Sequence, residues 1–112
     1  IQMSGDDITA LSCMAAGAHG CISVVANVAP KPTAELMEAC FAGKYDEALK
    51  IQDRLVPLHA ATFLEAGVTG AKTGLSFLGR VGEEVRLPLV PSTEPTKKAI
   101  RAAMVHAGVL NA

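Results

Sequence analysis

Two adjacent carboxylates are the first candidates for chemistry in this chain. Asp6 and Asp7 follow Ser4-Gly5, directly after a short apolar segment at residues 1–3 that is typical of the end of a strand. Acids in such a turn either contact a substrate or accept the free amide hydrogens of the next helix. We favour Asp6 or Asp7 as the N-cap of that helix, and a substrate-binding role remains compatible with capping.

Few other side chains could act as acids, bases or nucleophiles. Lys31 is the only lysine soon after a predicted strand, but it lies between two prolines in a predicted exposed turn, where its amine should stay protonated. Cys21 lies in an apolar segment, where burial should keep a thiol inert. His19 is predicted to be a loop residue, and His59 and His106 are predicted to be solvated or hydrogen-bonded within helices.

These groups are positioned by a predicted β-α-β unit. Residues 22–28 are almost continuously apolar and rich in valine, which is typical of a strand covered on both faces. Ile8, Leu11 and Met14 recur at helical spacing before it. Two such strands joined by a helix should be parallel, with a right-handed connection.

The rest of the chain is predicted to be helical. Apolar periodicity and terminal glycines indicate helices at about 33–43, 46–64, 69–78 and 93–108, with Thr33 as the first N-cap and a kink at Pro57. Val109, beyond Gly108, should fold back on the last helix. Residues 85–91 contain two prolines and should form an extended connection.

Composition excludes several classes of protein. The 112 residues carry ten basic and eleven acidic side chains, for a net charge of -1, so there is no basic surface for nucleic acid. No apolar run approaches the roughly 18 residues of a membrane span. Three cysteines at no metal-binding or disulfide spacing favour a reducing, cytoplasmic location. Because two parallel strands cannot form a stable sheet alone, we expect the last part of a larger protein.

Four motifs resemble the dihydrodipicolinate synthase family across essentially the whole chain. They are Ser4-Gly5-Asp6-Asp7, Gly20-Cys21-Ile22-Ser23-Val24, Asn27-Val28-Ala29 and Arg86-Leu87-Pro88-Leu89-Val90-Pro91. The resemblance implies an α/β fold, the C-terminal part of a (β/α)8 TIM barrel followed by an all-helical appendage. Residues 1–31 would supply the last two β/α units, and residues 32–112 the C-terminal helical region.

The same resemblance implies a function. The family is a group of cytoplasmic lyases of lysine (diaminopimelate) biosynthesis, in which a lysine forms an imine with pyruvate before attack on aspartate semialdehyde. That lysine would lie upstream, so the segment would hold no catalytic residue and be inactive alone. Ile22 would contact pyruvate through its backbone, and Gly5 and Asp7 would lie near the second substrate. We expect a homotetramer and no metal or organic cofactor.

Two alternatives remain open. The first keeps the fold and the imine chemistry but changes the aldehyde, as in the sialic-acid and keto-deoxy sugar-acid aldolases. The second is a non-catalytic half-barrel that acts only by association, because its strand edges are unpaired. The residues that bind the aldehyde would decide the first alternative. The presence or absence of an activated lysine would decide the second.

Overall fold

A computed structural model describes all residues, 1–112, as a helical structure with one short parallel contact. The chain contains five α-helices and one 3₁₀-helix, which lies between the first two. They are α1 (Ala10–Ala15), the 3₁₀-helix (Val25–Asn27), α2 (Pro30–Phe41), α3 (Tyr45–Thr62), α4 (Gly67–Phe77) and α5 (Glu94–His106).

The predicted strand at residues 22–28 is wrong. Extended pairing is limited to one parallel bridge between Ser4 and Cys21, in which the Ser4 N–H donates to Gly20 O at 2.9 Å. The Ile22 N–H donates to Ser4 O at 2.8 Å, and the chain then turns into the 3₁₀-helix. The parallel direction of the two segments is therefore as predicted, whereas the length of the second is not.

The chain turns after Ser23 because the backbone N–H groups that follow donate to side chains and not to a neighbouring strand. The Ala26 N–H donates to Ser23 Oγ at 2.8 Å, which begins the 3₁₀-helix as a side-chain cap does. Val25 and Val28 are completely buried, but they pack among helices rather than in a sheet. Both residues are apolar because they are buried. The apolar pattern of a short segment does not by itself show whether the segment is a strand or a helix.

The beginnings of the first two α-helices also differ from prediction. α1 starts at Ala10 with Thr9 in the N-cap position, so neither Asp6 nor Asp7 caps it. α2 starts at Pro30, three residues before the predicted cap, because proline is favoured in the first helical turn, where its missing N–H costs nothing. Thr33 lies inside the helix, and its hydroxyl donates to Ala29 O.

The helix ends follow the sequence closely. Gly43 and Gly108 have φ angles of +72° and +74°, in the left-handed region that glycine adopts most easily. The Val109 N–H donates to Met104 O at 2.9 Å, which confirms the predicted return of the chain onto α5. Residues 85–91 form a connection without regular structure, held where Thr69 Oγ1 donates to Val90 O.

Two apolar clusters lie between the helices. The larger unites the 3₁₀-helix with α3 and α5 through Val25, Leu55, Leu58, Ile100 and Met104, all fully buried. The smaller joins α1, α2 and α3. None of the helices combines the length and the apolar character required to cross a membrane.

Candidate functional site

The parallel bridge brings two of the three predicted site residues together. Ile22 and Gly5 follow the bridged residues Cys21 and Ser4 on neighbouring segments. The Ile22 side chain is 69% exposed, and the space beside Gly5 is open, with no atom within 4 Å of where a Cβ would stand. These residues therefore form an accessible edge of backbone at the C-terminal end of the paired segments.

Asp7, the third predicted site residue, is buried. Only 3% of it is exposed, and its carboxylate is already occupied by donors of this chain. Ser23 Oγ donates to Oδ1, while the N–H groups of Val24 and Val25 donate to Oδ2 at 2.9 and 3.0 Å. Asp7 thus holds the start of the 3₁₀-helix and does not present a free oxygen at the open edge.

An open cavity of about 330 Å³ lies beside this edge. One wall is the turn that carries Gly5, Asp6 and Ile8, and the other is the end of α3, with His59 and Phe63. The side chain of Gln52, two turns earlier on α3, fastens the helix to this turn, because its Nε2 donates to Ile8 O at 3.1 Å. The Gln52 Oε1 atom is buried and has no hydrogen-bond partner.

The prediction of a solvated or hydrogen-bonded His59 is wrong. The residue is 3% exposed, and its Nδ1 is buried without a partner. Burial lowers the pKa of the imidazole, and the negative charges of Asp7 and Asp6 oppose the shift without cancelling it. A signal was available in the sequence, because His59 follows Gln52 and Leu55 on the stripe of α3 that faces the core.

The remaining candidates are unreactive as predicted, but two lie in other surroundings: Lys31 is in the first turn of α2 and not in a loop, and Cys21 is in an isolated bridge and not in a buried strand. The Lys31 side chain is 86% exposed and lies 3.9 Å from Glu35, so nothing desolvates its amine. Cys21 is half-buried, and burial, followed by the charge of Asp7, raises the pKa of its thiol. His19 lies in the loop before the bridge and accepts the Gln2 N–H through Nδ1 at 3.2 Å. No group of three potential ligands converges to hold a metal ion.

Sequence comparison identifies close relatives over nearly all of this chain. A protein named 4-hydroxy-tetrahydrodipicolinate synthase from Rhodopseudomonas palustris is 68% identical over 111 residues, and one from Rhizobium meliloti is 55% identical over 112 residues. Each alignment covers 99% of this chain but only 38% of the relative. The chain therefore spans little more than a third of the length of these relatives.

Solved structures agree with this relationship. The dihydrodipicolinate synthase of Thermotoga maritima superposes with a TM-score of 0.94 at 37% identity, covering 96% of this chain and 37% of that enzyme. The chloride-inhibited enzyme of Acinetobacter baumannii, solved with pyruvate, gives a TM-score of 0.92 at 35% identity over 96% of this chain and 37% of its own. The model of the dihydrodipicolinate synthetase family matches residues 1–107. This chain belongs to the dihydrodipicolinate synthetase family.

Proposed function

We propose that this chain forms the C-terminal part of a 4-hydroxy-tetrahydrodipicolinate synthase of lysine biosynthesis. Residues 1–31 would complete the TIM barrel with its last two β/α units, and residues 32–112 would form the helical region after it. The main support for this proposal is the similarity to the Rhodopseudomonas palustris synthase. The two sequences are 68% identical over 111 residues, which make up 38% of that synthase. The parallel bridge supports it, because paired parallel segments normally continue into a larger sheet.

The proposed reaction joins pyruvate to aspartate semialdehyde. A lysine amine condenses with the pyruvate carbonyl to an imine and releases water, and loss of a methyl proton then gives an enamine. The enamine carbon attacks the aldehyde carbon, whose oxygen takes up a proton. This segment would not carry the imine lysine, and the solvent-exposed Lys31 supports that assignment, since its ammonium is not desolvated.

The segment would instead form part of the pocket wall. Ile22 would contact pyruvate through its backbone, and Gly5 would line the side of the aldehyde. Asp7 would act indirectly, because its carboxylate binds the N–H groups of Val24 and Val25, just after Ile22. We therefore assign Asp7 the role of a positioning residue, in place of the direct substrate contact that the family resemblance implied.

Borohydride trapping tests the location of the imine lysine. The 112-residue chain is incubated with pyruvate and borohydride, and its intact mass is measured under denaturing conditions. We expect no adduct on this chain. We expect one pyruvyl adduct on a full-length hybrid in which the chain replaces the aligned 111 residues of the Rhodopseudomonas palustris relative. An adduct on the short chain, lost in a Lys31→Ala variant, would overturn the assignment.

The complete protein is proposed to be a cytoplasmic homotetramer. Large apolar side chains at Ile1, Met3 and Ile22 are exposed around the paired segments, and Leu87 and Val90 are exposed on the connection before α5. Exposed apolar surface of this kind supports burial against further chain or other copies. Light scattering on the hybrid measures the mass, and a monomer at micromolar concentration would contradict the tetramer.

A further inference from the structure

Two side chains of α3 hold α1 and the turn before it by hydrogen bonds to backbone oxygens. Gln52 Nε2 donates to Ile8 O at 3.1 Å, just before α1 begins. Tyr45 Oη donates to Met14 O at 3.2 Å, near the end of α1. The two donors are seven residues apart and therefore lie on one face of α3. This face of α3 is fastened at one point to α1 and at another to the turn that carries the candidate site.

The Gln52 contact lies one residue from the carboxylate that fixes the pocket wall. Asp7 directly precedes Ile8, and its carboxylate accepts the N–H groups of residues 24–25. Those residues follow Ile22 closely in the chain. A short path therefore leads from the Gln52 amide, through the peptide of Ile8 and the carboxylate of Asp7, to the backbone after Ile22.

Stability does not explain why an amide is buried at Gln52. Only 6% of the residue is exposed, and the Oε1 atom of the same amide is buried without a hydrogen-bond partner. Taking an amide out of water costs more than one hydrogen bond between neutral groups returns. A flexible apolar side chain of similar length, such as methionine, would fill the same space without this cost. The hydrogen bond to the Ile8 carbonyl is what the amide adds at this position.

We propose that Gln52 is a positioning residue of the pyruvate site. It fixes the peptide of Ile8 and thereby the place at which Asp7 holds the backbone beside Ile22. The inference rests on the proposed function, in which Ile22 contacts pyruvate through its backbone. It also gives the helical region at 32–112 a part in the reaction, because one of its side chains sets the geometry of a pocket wall built by residues 1–31.

Pyruvate saturation of the trapped imine tests this role. The full-length hybrid is treated with borohydride at increasing pyruvate concentrations, and the initial rate of adduct formation is followed by intact mass. Gln52→Met keeps the length of the side chain but has no N–H. We expect it to raise the pyruvate concentration at half-maximal trapping about fivefold, as for loss of one hydrogen bond between neutral groups, with little change in the maximal rate. Gln52→Asn, one methylene shorter, should give a similar rise and provides the test if Gln52→Met does not fold.

Tyr45→Phe is the matched control. It removes the other hydrogen bond from this face of α3, whose acceptor Met14 lies six residues from Ile8, and it should leave half-maximal trapping at the parent concentration of pyruvate. Circular dichroism shows which variants are folded. Unchanged saturation in the folded Gln52 variants would overturn the inference, and so would equal rises in the Gln52 and Tyr45 variants, which indicate general loosening of the helices. A parent hybrid that forms no pyruvyl adduct would instead contradict the proposed function.

Discussion

The carboxylate of Asp7 accepts a hydrogen bond of 3.0 Å from the backbone N–H of Val25, across eighteen residues of sequence. The same oxygen accepts the Val24 N–H at 2.9 Å, and Ser23 donates to the other oxygen. One buried side chain therefore joins the turn after the first paired segment to the 3₁₀-helix after the second. This contact fixes the backbone that carries Ile22 and Gly5.

Removal of the Asp7 carboxylate should destabilise the protein strongly. Asp7→Ala leaves one buried and one partly buried N–H group, those of Val25 and Val24, without acceptors, and we expect the free energy of unfolding to fall by about 3 kcal/mol. Urea unfolding followed by circular dichroism measures the loss. Asp6→Asn is the matched control, because Asp6 is exposed, and it should change stability by less than about 0.5 kcal/mol. Similar losses in the two variants would contradict a structural role specific to Asp7.

Gly70 should not tolerate a side chain. A Cβ at this position would overlap the backbone oxygen of Thr62 and lie 2.9 Å from its Cα, so α3 and α4 would have to separate. We expect Gly70→Ala to lower the free energy of unfolding by about 1–3 kcal/mol, although alanine is the better helix former. Gly5→Ala is the control for stability, since nothing lies within 4 Å of its Cβ position. A Gly70→Ala protein as stable as the parent would show that the helices are less closely packed.

Stability should depend on pH through His59. The pKa of the folded imidazole lies below its ordinary value of 6.5, so between these two values the unfolded chain binds more protons. The contribution of His59 is therefore complete above about pH 6.5 and is lost as the pH falls from there through the lower pKa of the folded imidazole.

Thermal unfolding of the parent and of His59→Asn over this pH range checks the prediction. The parent should lose stability on acidification, and the variant, which has no titrating group at this position, should give a flatter profile. Asp6 and Asp7 are the charged groups that face the ring, and both favour its protonated form. A pH profile equally steep in both proteins would assign the effect to other groups.

The buried hydroxyl pair of Thr73 and Ser92 should behave as a coupled unit. Their oxygens are 2.8 Å apart, and both residues are at least 95% buried, which joins α4 to the segment before α5. Thr73→Val alone leaves the Ser92 hydroxyl unsatisfied and should cost about 1–3 kcal/mol. The double variant with Ser92→Ala should recover part of that loss in a double-mutant cycle. Strictly additive losses would show that the two hydroxyls do not interact.

The family and the helices could be predicted from the sequence because both depend on local information. Gly43 and Gly108 terminate helices in a left-handed backbone conformation, which glycine adopts easily because it has no Cβ. This effect needs no distant partner. The return of Val109 onto Met104 follows from the same geometry within six residues. The Ser-Gly-Asp-Asp motif likewise identifies the family without any knowledge of contacts.

The site itself depends on contacts between distant residues. The run at residues 22–28 has the composition of a strand, yet its N–H groups bond to Asp7, and the chain turns after Ser23. His59 belongs to a helix that the sequence predicts well, but its lowered pKa results from burial beside the Gly5-Asp6 turn, more than fifty residues away in the sequence. The sequence by itself determined the helices, their glycine ends and the family, because propensity and motifs act over a few residues. Only the tertiary structure decided that the buried Asp7 carboxylate binds the backbone of Val24 and Val25 and that His59 lines the cavity. The reason is that hydrogen bonding and desolvation depend on which distant groups come into contact.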